Sequence, residues 1–566
     1  MNGRLLVVVA AAFLGVAALP PAPLTGPPTL ATVEQAYADA SDLRSQVDVT
    51  RYRGAELNSN GIALTELRRQ YASARSRLVS LLGEVAAPAE GGDDGRALDR
   101  MRTVLENDLT EDPKPAEGAI VPADSPCDYE PERLASEPAG IDGLWQRAYA
   151  CYSRAAQSLP FEGRTLDRGT VNERLTRATD PAERRRLFLA QRPLWKAIDG
   201  EGGRTSPYRT LARLSAGRWH VEKTTADGGL AALGVPPAQA ESWLTSVLTE
   251  WSERAPAAPI EPWDFSYRMG SASRALSPGL TAARLTEANA AFYRSLGADP
   301  AVLGIRYDVE PRPGRPPQPY AFTTFGRASR EVAGVWRPGE LWVFATYRGG
   351  FDDLAELLHE TGHGIHIAAI RTRPAFADWP DSDIFTEALA DFLGAEAYEP
   401  EWQQRFLGQS VAPRECLRAR YSGVVMDMAW ALLEVRMRRE PTADPNEIWT
   451  DLTSRYLHIV PHPELSWWAT RGQLIETPGY MMNYAAGAIV VADLRARTRA
   501  LRGPFTKADP GWYPWLSDRL YRFGRERSSQ RVVEDFLGRP VSSQALLAEI
   551  ARLGPARAGG SPRGGR

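Results

Sequence analysis

Apolar residues recur every three or four positions along most of the chain, which is the spacing of one buried face of an α-helix. The pattern is clear at 63–85, 184–198, 285–300, 351–370 and 411–439. Residues 321–347 follow a different rule, because β-branched and aromatic residues alternate there around a Pro338-Gly339 turn. The sequence therefore predicts a mainly α protein with a small β-hairpin or sheet just before residue 351.

The segment 351–370 has the features of a well-defined helix. Asp353 and Glu356 have the spacing of a capping box at its start, and Arg371 and Pro374 mark its end. Its apolar stripe consists of Leu354, Leu357, Leu358, Gly362 and Ile365. We therefore expect a helix that this stripe holds in a hydrophobic core.

The same helix carries His359-Glu360-Thr361-Gly362-His363, the His-Glu-x-x-His pattern. Residues four apart share a helix face, so His359 and His363 can bind one ion while Glu360 faces its open coordination position. Catalytic zinc takes a third protein ligand. Glu387, 24 residues beyond His363 in a second helix that starts near Asp383, is the predicted one. The pattern predicts one Zn²⁺ per chain, with Glu360 as the general base.

Residues near these three indicate which kind of metal site is present and which carboxylate is the third ligand. Asp391 lies four residues past Glu387 on the same helix face, and we expect it to accept a hydrogen bond from a ligating histidine. A metzincin site is excluded, because that pattern needs Gly at 366 and His at 369, where this chain has His366 and Ala369. An ordinary buried helix with two hydrogen-bonded histidines is the alternative, which the small number of histidines (six in 566 residues) disfavours. Three rival third ligands lack a downstream Asp in this position: Asp381, Asp383 and Glu396.

HETGH followed by Glu387 within TEALAD resembles the gluzincin zinc metallopeptidases related to angiotensin-converting enzyme (peptidyl-dipeptidase A). His366 extends the pattern to HExGHxxH, which is similar instead to thimet oligopeptidase and its relatives, so the chain lies between the two families. The resemblance implies two helical lobes flanking a deep channel, and zinc-dependent hydrolysis of short peptides of oligopeptidase or peptidyl-dipeptidase type. We also expect His366 to lie beside the ligands rather than on the metal, and the AFTTFG or VAGVW segment to bind substrate as a sheet edge.

Relatives place a tyrosine pair after the zinc helix, where it donates hydrogen bonds to the tetrahedral intermediate. Tyr480 and Tyr484, one helical turn apart, match this pair by resemblance. The histidine that relatives carry just before the pair is absent here. We expect Tyr484 to stabilise the oxyanion, with Tyr480 second and His462 third, and ordinary packing of both tyrosines is the alternative. The absent histidine supports a second hypothesis, a catalytically inactive zinc-containing binding or structural protein.

The N-terminus indicates export. Arg4 precedes about fifteen apolar residues, which suit a signal peptide but are short for a transmembrane helix. Ala36-Tyr37-Ala38 offers a cleavage site before Asp39, so residues 1–38 are the predicted signal peptide; a site near Ala18 and an uncleaved anchor are alternatives. We predict a periplasmic or secreted protein, membrane-tethered if this segment is retained.

Composition and the three cysteines give further predictions about partners and disulfide bonding. A formal net charge of −3 argues against nucleic acid or an anionic membrane as the main partner, and no later stretch reaches membrane-spanning length. Cys127 and Cys151 could form a disulfide in an oxidising compartment, which leaves Cys416 as a buried free thiol. The predicted organisation is a helical N-terminal lobe (39–310), a catalytic zinc lobe (311–553) and a disordered tail (554–566).

Overall fold

The computed structural model describes residues 27–86, 92–109, 126–137, 140–221, 225–254, 258–312, 317–318, 320–332 and 334–554. Within these ranges the protein is mainly α-helical, as its periodicity predicts. The helices of the first half are α1 (Leu30–Tyr52), α2 (Leu64–Glu84), α3 (Asp93–Asn107), α4 (Pro131–Ala135), α5 (Gly140–Gln157), α6 (Arg168–Arg177), α7 (Pro181–Leu189), α8 (Arg192–Asp199), α9 (Pro207–Val221), α10 (Thr225–Ala232), α11 (Pro237–Arg254), α12 (Phe265–Met269), α13 (Ser271–Leu276) and α14 (Ala282–Ser295).

The later helices build most of the surroundings of the histidine motif. They are α15 (Phe351–Ala369), α16 (Asp383–Gly394), α17 (Pro400–Leu407), α18 (Pro413–Arg439), α19 (Pro445–Leu457), α20 (Gln473–Glu476), α21 (Met481–Arg502), α22 (Trp512–Leu516), α23 (Ser529–Leu537) and α24 (Gln544–Ala551). The predicted helix at 351–370 is thus confirmed as α15.

Short strands form three small sheets in the described residues. The strands are β1 (Leu159–Phe161), β2 (Arg164–Leu166), β3 (Ile305–Asp308), β4 (Phe322–Arg327), β5 (Arg330–Val332), β6 (Val335–Arg337) and β7 (Glu340–Phe344). β1 pairs with β2 and β5 with β6, both antiparallel, while a three-stranded sheet has the order β3-β7-β4. This last sheet packs on α15, so the predicted sheet beside the motif helix is confirmed.

The predicted hairpin around Pro338-Gly339 is wrong. That turn joins β6 to β7, but β7 pairs with β3 in parallel and with β4 antiparallel. The physical reason is burial: β7 is buried along Leu341–Phe344 and takes a partner on each side, whereas β6 exposes Val335. Gly334, at a φ of +76°, supplies the tight turn between β5 and β6 instead.

The two predicted lobes share one hydrophobic core. A single cluster of buried apolar side chains extends from Leu144 to Leu553, and the boundary predicted between residues 310 and 311 falls inside the β3-β7-β4 sheet. A second cluster joins α1, α2 and α3 to Ala375 and Phe376, just after α15. The N-terminal helices are therefore attached to the same body that carries the motif.

The predicted signal peptide, residues 1–38, overlaps the first residues of α1. Residues 1–26 lie outside the described residues, but Ala38 lies in the middle of α1, next to the buried Ala36 and Tyr37. A cleavage site before Asp39 would therefore cut a packed helix, and the alternative site near Ala18 lies outside the described residues. Of the helices that the structure describes, none is both long enough and apolar enough to cross a membrane. The predicted tail, apart from Gly554, also lies outside the described residues.

The cysteine prediction is confirmed. Cys127 and Cys151 form a disulfide, with Cα atoms 5.7 Å apart, that fastens the segment before α4 to α5. Cys416 is a buried free thiol in α18 and accepts a hydrogen bond from Gln403.

Candidate metal centre

Three side chains from two helices converge on one point. His359 and His363 lie one turn apart on α15, and Glu387 lies on α16. Glu387 Oε2 is 3.5 Å from His359 Nε2 and 3.9 Å from His363 Nε2, and the three candidate ligand atoms all lie within 4.8 Å of one another. The structure therefore brings together the two histidines and the glutamate that the sequence selected.

Small residues allow the two helices to approach this closely. A Cβ atom built on Gly362 would lie 2.4 Å from the carbonyl oxygen of Ala390, and one built on Gly394 would lie 3.2 Å from the backbone nitrogen of His359. Ala390 is one turn beyond Glu387 on α16. The contact at Gly362 thus sets the distance between the helix that carries the histidines and the helix that carries the carboxylate.

The donor set and its geometry fit zinc. Two imidazole nitrogens and one carboxylate oxygen form a known ligand set of catalytic zinc, and bonds of about 2.0–2.2 Å in a tetrahedral site place neighbouring ligand atoms roughly 3.3–3.6 Å apart. The separations of 3.5 and 3.9 Å lie close to that spacing. His359, His363 and Glu387 are therefore the residues that would hold the metal.

Asp391 orients the first histidine. Its Oδ1 lies 2.7 Å from Nδ1 of His359, which leaves Nε2 facing Glu387, as the sequence predicts for a carboxylate behind a ligating histidine. Burial opposes charge on both groups, yet their mutual attraction raises the pKa of His359 to about 10 and lowers the pKa of Asp391. A proton on Nε2 of His359 would compete with a metal for the same lone pair.

Tyr480 orients the glutamate. Its hydroxyl donates to Glu387 Oε1 at 2.7 Å, so only Oε2 is turned toward the histidines. Burial raises the pKa of Glu387 to about 7. By resemblance Tyr480 is the second candidate for the oxyanion, after Tyr484. In the structure its hydroxyl instead donates to a candidate ligand, since Tyr480 lies at the start of α21 and α21 packs on α16.

Glu360 stands beside the candidate ligands without joining them. Its Oε1 lies 4.0 Å from His359 Nε2, and its Oε2 accepts a hydrogen bond from Thr323 Oγ1 on β4 at 2.6 Å. Burial raises the pKa of Glu360, which suits a group that accepts and returns a proton. Sequence reasoning missed Thr323, although the AFTTFG segment that contains it was expected at the site.

Tyr484 and His366, two further residues predicted for the site, have different surroundings. Tyr484 lines the cleft described below, with its ring 5.2 Å from that of Tyr480. His366 is buried against the rings of Trp379 and Tyr521, and neither of its ring nitrogens has a hydrogen-bond partner among the described residues. His366 therefore makes no hydrogen bond to a candidate ligand within the described part of the chain. Burial, and after it the nearby His366, lowers the pKa of His363, and both rings pack on Trp379.

His462 lies elsewhere. Its two ring nitrogens are bonded to Glu464 and Glu261, so its predicted role at the oxyanion is wrong. Two of the rival carboxylates are also engaged away from the histidines: Asp381 accepts from Ser529, and Glu396 forms a buried ion pair with Arg495. These contacts leave Glu387 as the glutamate of the site.

A cleft of about 660 Å³ gives access to the centre. Helices from both halves of the chain line it, α5 and α6 from the first half and α15, α16, α18 and α21 from the second. His359, Glu360, Asp391 and Tyr484 lie on its wall. The predicted channel between two groups of helices thus exists, although those helices share one core.

Comparison with known proteins supports this fold. No family model matches the chain, and no curated protein matches it by sequence. A solved structure of an M32 carboxypeptidase from Deinococcus radiodurans R1 matches with a TM-score of 0.55 and 16% identity, over 93% of this chain and 98% of that chain. The structure of CHT matches with a TM-score of 0.51 and 16% identity, over 93% of this chain and 99% of that chain.

At such low identity the likeness concerns the fold alone. It confirms the mainly α architecture over nearly the whole chain. The resemblance of the motifs to the angiotensin-converting enzyme and thimet oligopeptidase families stays a prediction.

Proposed function

We propose that this protein is a zinc-dependent peptidase that hydrolyses short peptides in the cleft. The observation that carries the proposal is the position of Glu360, a buried carboxylate on the cleft wall 4.0 Å from His359 and outside the set His359, His363 and Glu387. A purely structural metal site has no use for a free base beside it. The fold shared with an M32 carboxypeptidase agrees with this assignment.

Each residue of the site would have a separate role in peptide hydrolysis. His359, His363 and Glu387 would hold the zinc, which when bound supplies a Lewis acid that polarises a peptide carbonyl and lowers the pKa of water. Glu360 takes a proton from the attacking water and passes it to the leaving amine, while Thr323 fixes one of its oxygens. Tyr484, which lies on the cleft wall, would donate a hydrogen bond to the developing oxyanion.

The cleft limits the substrate to short or extended peptides. Its volume of about 660 Å³ accommodates a few residues, and its walls come from helices on both sides. The motif resemblance favours an oligopeptidase or a peptidyl-dipeptidase, and the fold of a carboxypeptidase adds removal of single C-terminal residues. Mass spectrometry of a short-peptide pool with free and amidated C-termini separates these modes by the fragments that each one leaves.

Glu360→Gln tests the mechanism. The amide keeps the shape of the side chain but cannot take a proton, so we expect bound zinc at one per chain and a loss of kcat of about 10²-fold or more. Zinc content is measured by elemental analysis and turnover by cleavage of the peptide pool. Glu447→Gln, on the exposed surface of α19, is the control and should retain wild-type turnover.

The competing hypothesis is an inactive zinc-containing binding or structural protein. It predicts one zinc per chain but no cleavage of any peptide by the wild-type protein. Cleavage that persists in Glu360→Gln would instead refute the proposed base.

We also propose export, either periplasmic or secreted. The disulfide between Cys127 and Cys151 supports this location, because such bonds persist in oxidising compartments.

A further inference from the structure

The turn before α21 is held by a residue from another helix. Glu434, on α18, accepts the backbone N–H of Gly479 at 2.7 Å through Oε1 and the backbone N–H of Met481 at 3.2 Å through Oε2. The N-cap residue of α21, Tyr480, makes no side-chain capping bond of its own. Glu434 therefore caps α21 from outside, where free N–H groups and the positive end of the helix dipole favour a carboxylate.

The two bonded amides flank one residue of the candidate metal centre. Tyr480 lies between Gly479 and Met481, and its hydroxyl donates to Glu387 Oε1 at 2.7 Å. Gly479 has a φ of +88°, a conformation that the turn needs and that side-chain-bearing residues rarely adopt. The backbone on both sides of Tyr480 is thus fixed by a single carboxylate.

Glu434 itself does not touch the cleft. It lines a separate cavity of about 290 Å³, whose wall includes Leu230, Val435 and Met482. Hydrogen bonds connect Glu434 to the metal centre through the turn and Tyr480.

We infer that Glu434 is a positioning residue for the metal centre: by clamping both amides around Tyr480, it holds the phenol on Glu387 and thereby turns Glu387 Oε2 toward the two histidines. This inference rests on the proposed function only in taking His359, His363 and Glu387 as the zinc ligands. In this arrangement Glu434 holds Tyr480, and Tyr480 holds the candidate ligand Glu387. Glu434 lies far from the other two residues in the sequence, so no short sequence motif includes all three.

Zinc affinity in the absence of substrate is the readout. Tyr480→Phe removes the hydrogen bond to Glu387 and should weaken zinc binding about 10- to 100-fold, the usual value for the partner of a metal ligand. Glu434→Met keeps the length of the side chain but has no carboxylate oxygen, so it should weaken binding by more than about twofold and up to about tenfold, because it displaces Tyr480 without removing it. Glu434→Gln keeps one acceptor and should lie between wild type and Glu434→Met.

The double variant Glu434→Met/Tyr480→Phe separates positioning from general damage. If Glu434 acts through Tyr480, the double variant binds zinc within about twofold of Tyr480→Phe alone, since coupled residues are not additive. The melting temperature of the zinc-free protein, measured with a chelator, should still fall with Glu434→Met in both backgrounds, because the cap is lost in both. Glu440→Gln, exposed at the end of the same helix, is the matched control and should leave zinc affinity unchanged.

Two results would overturn the inference. One is a Glu434→Met protein whose zinc affinity stays within twofold of wild type; the other is a loss that multiplies with that of Tyr480→Phe. In either case the peptidase proposal survives as long as wild type binds zinc and cleaves peptides. A wild-type protein that binds no zinc would refute both.

Discussion

At the scale of single residues, two of the candidate ligands each use one atom for the metal and another for a neighbour. His359 is bonded to Asp391 through Nδ1, and Glu387 is bonded to Tyr480 through Oε1. These second contacts remove rotational freedom from the side chains, so the ligands are preorganised for an ion. Two of the three candidate ligands are accordingly held by a neighbour, while Nδ1 of His363 is buried without a hydrogen-bond partner among the described residues.

His462 gives a prediction on pH. Both of its ring nitrogens face carboxylates, those of Glu464 at 2.7 Å and Glu261 at 3.0 Å, so both must donate and the ring is favoured as the cation. Partial burial lowers the pKa of His462, but the hydrogen bonds to Glu464 and Glu261 outweigh it and raise the pKa above 6.5. We expect NMR titration of the ring protons to give this raised pKa.

The raised pKa of His462 makes the stability of the folded protein depend on pH. The pKa is raised in the folded state, so the stabilisation by His462 is complete below pH 6.5 and is lost as the pH rises through the folded-state pKa. The difference in free energy of unfolding between wild type and His462→Gln should therefore shrink from pH 6 to pH 9. A difference that grows over this range would contradict the assignment, and Glu464→Gln should lower the measured pKa.

How much of the site the sequence reveals depends on how far apart its partners lie along the chain. His359, Glu360 and His363 occupy one helical turn and a half, so their spacing alone predicts their common face. Glu387 was found because a second helical pattern carried it. The partners Thr323 and Tyr480 come from a strand and a helix terminus whose positions are set by tertiary packing, which periodicity does not encode.

At the scale of elements, the contact between α15 and α16 decides whether a metal centre exists. Gly362 lets the helices approach, because any side chain there would meet the backbone of Ala390. Backbone atoms cannot rotate away as a flexible side chain would. The glycine inside the HETGH motif is therefore a packing requirement as well as part of a sequence pattern.

Gly362→Ala tests this contact. The added Cβ would lie 2.4 Å from the Ala390 oxygen, so α16 must move and carry Glu387 away from the histidines. We expect the free energy of unfolding to fall by about 1–3 kcal/mol, as for other overpacked cores, together with weaker zinc binding. Chemical denaturation and a zinc titration measure the two effects.

Gly423→Ala is the control for this substitution. Gly423 lies in α18 with an ordinary helical φ, and a Cβ there would meet nothing within 4 Å. Alanine should raise the free energy of unfolding by roughly 0.5–1 kcal/mol through its helix propensity, without affecting zinc. Equal behaviour of the two variants would show that the Gly362 contact is not tight.

Elements also explain the failed hairpin prediction. Alternating apolar residues identify β4, β6 and β7 as strands, but they do not say which strands pair. A Pro-Gly turn favours pairing of its neighbours, whereas the buried β7 gains more from two partners that cover its edges. Strand identity was thus predictable and strand pairing was not.

At the scale of the whole molecule, the N-terminal helices and the motif helix form one body. α1 packs on α2, on β4 and on the segment just after α15, and the ion pair between Glu34 and Arg373 ties the same two regions. The two lobes are implied by the family resemblance, and the boundary predicted before residue 311 follows a rise in Pro and Gly content. One hydrophobic core nevertheless contains residues on both sides of that boundary.

This packing predicts where the folded protein can begin. A chain that starts at Asp39 lacks Val33 and Tyr37, both buried in the cluster with Phe376, and it lacks Glu34. Each large buried apolar side chain contributes about 1.5–3 kcal/mol, so the loss should reach about 3 kcal/mol or more. A version that begins at Pro27 should therefore melt at a higher temperature than one that begins at Asp39. The proposed export should accordingly leave a mature N-terminus before Leu30, which mass spectrometry of the secreted or periplasmic fraction measures. If both versions melt at the same temperature, the residues of α1 up to Ala38 contribute nothing to stability. Cleavage before Asp39 would then be compatible with the fold.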